Sequence, residues 1–126
     1  MKSHEFSPTL DKSLIGAAGV HCIAADLRLR GLVALPTIRN TAGIDIVATN
    51  PAGSWFANLQ VKTSRSRVAF WPISNRFDSW TGRNDYYVFL RWLKDARTFE
   101  IFCESAVNVK KTGRNHLGTR EGAARG

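Results

Sequence analysis

The sequence runs to 126 residues, 44% of them hydrophobic and including four Trp and seven Phe, which suits one domain with a single packed core and excludes a disordered chain. Eighteen Lys and Arg against ten Asp and Glu leave a net charge of +8, which reads either as a preference for polyanions as partners or as solvated surface and tail. No apolar run approaches the ~20 residues that span a bilayer, and Met1–Pro8 carries His4 and Glu5 without the apolar block of a secretory signal, so a cytoplasmic protein with no membrane partner is expected.

Residues 1–9 read as an arm. A helix is expected from Thr9 or Asp11, either of which caps orphan backbone N–H groups, to Arg30, with Gly31 as its stop. Ala18, Ile23, Ala24 and Leu27 form its apolar stripe, and the small residues at 16–19 permit close approach to a sheet. Cys22 on this helix and Cys103 in a later strand have apolar neighbours and read as reduced, buried thiols. His21 has two readings, a catalytic base or a partly buried histidine packed against the sheet or a loop. No second His, Cys or carboxylate stands at metal-ligand spacing from it, which favours the packed reading.

Leu32–Pro36 is a short apolar strand, and Thr37–Ala42 leads into a β-branched strand over Ile44–Thr49. Asn50-Pro51-Ala52-Gly53 has the punctuation of a turn. Ser54–Thr63 alternates with period two, so Trp55, Ala57, Leu59 and Val61 point to a core while Asn58, Gln60 and Lys62 form a polar row on the other face. Two registers are open to this hairpin. One sets Asp45 opposite Gln60, so that carboxylate, amide and ammonium converge. The other uses Gly53 as a bulge residue, pairs Asn50 with Ser54 and sets Asp45 opposite Leu59.

Thr63-Ser64-Arg65-Ser66-Arg67 is a basic segment, read either as a phosphate contact or as a solvated loop. Val68–Ile73 is expected as a short strand, with Pro72 marking an edge or a strand end. Residues 75–84 are loop-like, and there Arg76, Trp80 and Arg83 could clamp a nucleic acid, Trp80 alternatively covering a core. Asp85–Leu93 and Thr98–Cys103 are strong aromatic strands around a turn at Lys94–Arg97, and Ser105–Val109 opens a short helix. Residues 1–109 thus make one domain of α/β or α+β class with a mixed sheet. Residues 110–126 carry five basic residues, one acid and four glycines, and read as a basic, disordered tail. No phosphate loop, dinucleotide fingerprint, paired C-x-x-C zinc pattern or internal repeat occurs, which argues against nucleotide-driven chemistry.

Gly43-Ile44-Asp45, followed fifteen residues after the aspartate by Gln60-Val61-Lys62, resembles the D…(E/Q)xK signature of the PD-(D/E)xK nuclease superfamily. The run from Gly16 through Gly19, Ala24 and Leu27 to Gly31 is similar to the opening helix of many members, G-x-x-G-E-x-x-x-A-x-x-L. Order and spacing agree over residues 14–103. The resemblance implies a restriction-endonuclease-like, Holliday-junction-resolvase-like mixed sheet with the first helix packed on one face, and hydrolysis of phosphodiesters in nucleic acid, DNA before RNA. On that likeness Asp45, Gln60 and Lys62 are the catalytic residues. Asp45, the Gln60 amide oxygen and the Val61 carbonyl would hold Mg²⁺ or Mn²⁺, and Lys62 would steer the attacking water or stabilise charge on the phosphate. Arg65, Arg67, Arg76 and Arg83 would contact nucleic acid, and a homodimer is implied because many members cut as dimers.

Two departures accompany the match. Val20 stands where the family's helix carries a glutamate, and Gln60 stands where its lysine motif begins with an acid, leaving Asp45 as the one charged ligand of that set. Both features support an alternative, a catalytically inactive member that binds nucleic acid or a protein partner.

Overall fold

The structure is a computed structural model and describes residues 11–38, 43–65 and 82–112, the last three as backbone. The chain order is α1 (Lys12–Leu29), β1 (Val33–Pro36), β2 (Ile46–Thr49), β3 (Phe56–Ser64), β4 (Asp85–Leu93), β5 (Thr98–Ser105) and α2 (Ala106–Thr112). This is a mixed α+β fold, as the sequence implies. The arm at 1–9, the strand expected at Val68–Ile73, Arg67, Arg76, Trp80 and the tail beyond residue 112 lie outside the described residues. Among those described, no helix is long and apolar enough to cross a membrane.

Local chemistry sets the ends of α1. Asp11 has extended backbone angles and its carboxylate accepts from the Ser13 amide at 3.1 Å, a cap worth about 1 kcal/mol. Gly31 ends the helix at φ 92°, with the Gly31 amide on the Arg28 carbonyl at 3.0 Å and the Leu32 amide on the Leu27 carbonyl at 3.1 Å. That paired closure needs a left-handed residue, which glycine supplies without a Cβ clash.

The strands lie in the order β1-β2-β3-β4-β5. β1, β2 and β3 form an antiparallel meander, β4 runs parallel to β3, and β5 returns antiparallel to β4. Arg97, in the four-residue turn between β4 and β5, takes φ 54° and donates its amide to the Leu93 carbonyl at 2.7 Å. α1 lies on one face, over β1, β2 and β3. Ile23 and Ala24 join Ala34, Ile46, Ala57, Leu59, Val88 and Leu90 in one buried cluster, with Val20, Leu27 and Val61 packed against it. Each of the larger aliphatics stabilises the fold by about 1.5–3 kcal/mol through burial.

The helix stripe differs from the one expected. Ile15, Gly19, Ile23 and Ala24 are buried, whereas Ala18 and His21 are exposed. At 100° per residue the i, i+4 line through 15, 19 and 23 sets the inward direction, from which position 18 is turned by about 100° and position 21 by about 160°. His21 is therefore exposed rather than partly buried against the sheet. Cys103 is exposed rather than buried, because β5 lies beyond the strands α1 covers. Cys22 is half-buried on the flank of the helix.

The polar row of β3 also differs. Gln60 is only 7% exposed, beside Tyr87 and Phe89 at 2% and 0%, whose rings stack at 5.5 Å between centroids. The parallel register sets Gln60 next to Tyr87 and Lys62 next to Phe89, so the second face is a closed layer at its centre instead of a solvated row.

The free edge of β1 is blunted. The Thr37 amide donates to the Asp45 carbonyl at 2.9 Å, which turns the backbone groups of 33, 35 and 37 toward β2 and those of 34 and 36 outward. Arg28 Nη2 covers the outward Ala34 carbonyl at 2.7 Å, and Pro36 has no N–H to offer.

Candidate functional site

Asp45 sits one residue before β2, where the β2–β3 ladder stops. The register pairs Ile46 with Leu59 and Ala48 with Ala57 and ends there; Asn50 does not pair with Ser54, and beyond Ile46 the Asp45 amide also turns to Leu59. The turn achieves this by pairing Asn50 with Trp55, the Trp55 carbonyl accepting from the Asn50 amide at 3.2 Å, while Gly53 at φ 73° donates to the Asn50 carbonyl at 2.9 Å. Asn50 Oδ1 accepts from the Trp55 amide at 3.0 Å and Asn50 Nδ2 donates to Ser54 Oγ at 2.8 Å, closing the loop from inside.

At Asp45 the chain leaves the ladder. A regular continuation would pair Ile44 with Val61. Instead the Asp45 amide donates to the Leu59 carbonyl at 2.8 Å, and the Val61 amide donates to Asp45 Oδ2 at 2.7 Å. The carboxylate thus takes the place of the Ile44 carbonyl, which accepts from Thr37 Oγ1. Because alternate residues of β3 turn their backbone toward β2 and β4, and the Asn58 amide goes to the Asn84 carbonyl on the β4 side, the Val61 carbonyl points past the end of β2. A carboxylate and a strand carbonyl are in this way brought to one gap in the sheet.

Gln60 precedes that carbonyl. Its Oε1 is buried with no hydrogen-bond partner among the described residues, an arrangement costing about 1–3 kcal/mol unless a donor or cation meets it. Lys62 lies two residues along on the same face, half-buried, at about 7 Å by strand rise. No group of three or more His, Cys, Asp and Glu able to hold a metal occurs among the described residues. Val20 directs its side chain to the core cluster, so α1 brings no acid toward β3 at that position.

Arg65 is exposed just past the end of β3 and Arg83 is exposed just before β4. Since β3 and β4 are parallel, with Asn58 beside Asp85 and Ser64 beside Arg91, the two arginines flank opposite ends of a paired span of about 20 Å and do not form one cluster. Asp85 anchors the Arg83 end, accepting from Asn58 Nδ2 and from the Gly82 amide, both at 3.0 Å. Gly-x-x-Asp spacing is a legible signal for that turn. Thr37 had no such signal, because a threonine at a strand end is commonplace until its hydroxyl is seen on Ile44. No protein-family model, curated protein or solved structure matches the chain.

Proposed function

We propose that this chain is a metal-dependent nuclease-type protein of the PD-(D/E)xK kind, hydrolysing phosphodiesters in nucleic acid, DNA before RNA. The observation that carries the reading is the end of β2, where the Asp45 carboxylate accepts from the Val61 amide, with the buried, partnerless Gln60 oxygen and Lys62 following on the same strand. Further support comes from the helix packed on one face of a mixed sheet and from the net charge of +8.

The orphaned Gln60 oxygen is the test of fit for a hard cation, which takes oxygen ligands and leaves waters in its shell. Asp45, Gln60 and Val61 would hold Mg²⁺ or Mn²⁺, and a bound ion supplies Lewis-acid polarisation of a phosphoryl oxygen and a more acidic water. Lys62 places positive charge where the phosphate gains negative charge. One carboxylate with two neutral oxygens would offset little of the cost of dehydrating a divalent ion, so free Mg²⁺ would bind weakly unless substrate phosphate supplied further oxygen ligands. Arg65 and Arg83 contact phosphates at the two ends of β3. A homodimer would let both strands of a duplex be cut.

A second reading is a scaffold that binds nucleic acid without cutting it. Val20 packed against the core cluster, and the lack among the described residues of any group of three or more His, Cys, Asp and Glu able to hold a metal, favour it. Cleavage of plasmid, single-stranded DNA and RNA with Mg²⁺ or Mn²⁺ separates the two. The nuclease reading expects metal-dependent cleavage that Asp45→Ala abolishes, that Lys62→Ala slows more than it weakens binding, and that Val20→Glu with Gln60→Glu supports at lower metal concentration. Salt-sensitive binding without cleavage leaves the scaffold. Cleavage by Asp45→Ala at the wild-type rate would remove this site from either reading.

A further inference from the structure

We infer that Thr37, at the end of β1, is a positioning residue for the Asp45 carboxylate. Two consecutive carbonyls of the segment entering β2 are held by this one residue: the Thr37 hydroxyl donates to Ile44 and the Thr37 amide to Asp45. Without the first bond the Ile44 carbonyl has an obvious partner, the Val61 amide, which would extend the β2–β3 ladder by its next regular pair. That amide is the donor now held by Asp45 Oδ2. The two acceptors compete for one N–H, and the Thr37 hydroxyl decides the competition by engaging the backbone acceptor.

The consequence is geometric. Ile44 carbonyl on Thr37 leaves the ladder open, and the open ladder keeps both the Asp45 carboxylate and the Val61 carbonyl at the gap. With Ile44 on Val61, strand pairing covers the Val61 backbone and the carboxylate loses its anchor. Groups that orient a ligand in this way affect metal affinity although they do not touch the metal, by roughly 10–100-fold. The functional half of the inference rests on the reading of Asp45 as the carboxylate of the site; the conformational half does not.

Thr37→Val keeps the size, the β-branch and the backbone amide and removes only the hydroxyl, while Thr37→Ser restores a hydroxyl. The direct readout is the through-hydrogen-bond NMR coupling between the Val61 amide nitrogen and the Asp45 carboxyl carbon, with Mn²⁺-induced broadening of Gln60 and Val61 resonances as the second. Wild type and Thr37→Ser are expected to show the coupling. Thr37→Val is expected to lose it, to gain a coupling from Val61 to the Ile44 carbonyl, and to need about 10–100-fold more Mn²⁺ for the same broadening. Should Thr37→Val fail to fold, Thr37→Ala and Thr37→Ser give the same comparison. If wild type shows the coupling but no Mn²⁺ response with or without DNA, the metal reading fails and the positioning of Asp45 by Thr37 stands or falls on the coupling alone. An intact Val61–Asp45 coupling in the hydroxyl-free variants overturns the inference.

Discussion

Replacing Gly19 with alanine probes how α1 is seated on the sheet. A Cβ built at Gly19 collides with Thr63 Oγ1, while the Cβ and Cγ2 of Thr63 stay at 3.5 Å, an ordinary contact. Thr63 is β-branched and stiff about χ1, so its oxygen moves only at the cost of a poorer rotamer or a shift of the helix. Overpacking of this kind costs about 1–3 kcal/mol, and the exchange of Gly for Ala in a helix returns about 1 kcal/mol, so Gly19→Ala should destabilise by about 0–2 kcal/mol. Gly16, on the same helix, has open space where a Cβ would stand, with no atom within 4 Å, and Gly16→Ala should stabilise by about 0.5–1 kcal/mol. Thr63 Oγ1 is buried without a partner among the described residues, so Thr63→Ala removes an unsatisfied hydroxyl and should be close to neutral. In the Thr63→Ala background Gly19→Ala should behave like Gly16→Ala, giving a coupling of about 1–3 kcal/mol in the double-mutant cycle. Urea denaturation of the five proteins measures all of these terms. Equal stabilisation by Gly19→Ala and Gly16→Ala with Thr63 intact would refute the close seating of α1 on β3.

Arg97→Gly should stabilise the chain by about 1 kcal/mol in the same assay, because φ 54° strains any residue with a Cβ and glycine adopts it freely. Arg28→Ala uncovers the Ala34 carbonyl on the outward edge of β1 and should increase self-association in light scattering at high protein concentration, with little loss of helix content. Burial first, and the Glu104 carboxylate second, push the Cys103 thiol above its ordinary value: although the residue is exposed, its sulfur loses solvent on the side that meets the sheet. The thiolate fraction at a given pH is therefore reduced, so iodoacetamide labelling of folded protein should rise at higher pH than labelling in urea. Because the folded state holds the proton longer, this group's stabilisation is complete below the unfolded thiol value and is lost as pH rises through the folded one. Glu104→Gln should move the labelling curve part of the way back.

Much of the fold follows from short-range chemistry written along the chain. Asp11 and Gly31 bound the first helix because capping and a left-handed turn are decided within five residues. Asp85–Leu93 emerges as β4 without revision because its β-branched and aromatic density leaves no competing element. The Asp45 and Gln60-Val61-Lys62 pair is likewise legible as chemistry, since residue type and order are enough to suggest an oxygen site. Its geometry is another matter. Whether Asn50 pairs with Trp55 or with Ser54 depends on how one turn closes, and period-two alternation is satisfied by the strand interior in either case. Diversion of Ile44 to Thr37, burial of Gln60 beside Tyr87, and exposure of Ala18, His21 and Cys103 all depend on which layer lies over which strand. Hydrophobicity states that a side chain prefers to be covered; only the packed sheet determines which partners, tens of residues away in the chain, are there to cover it.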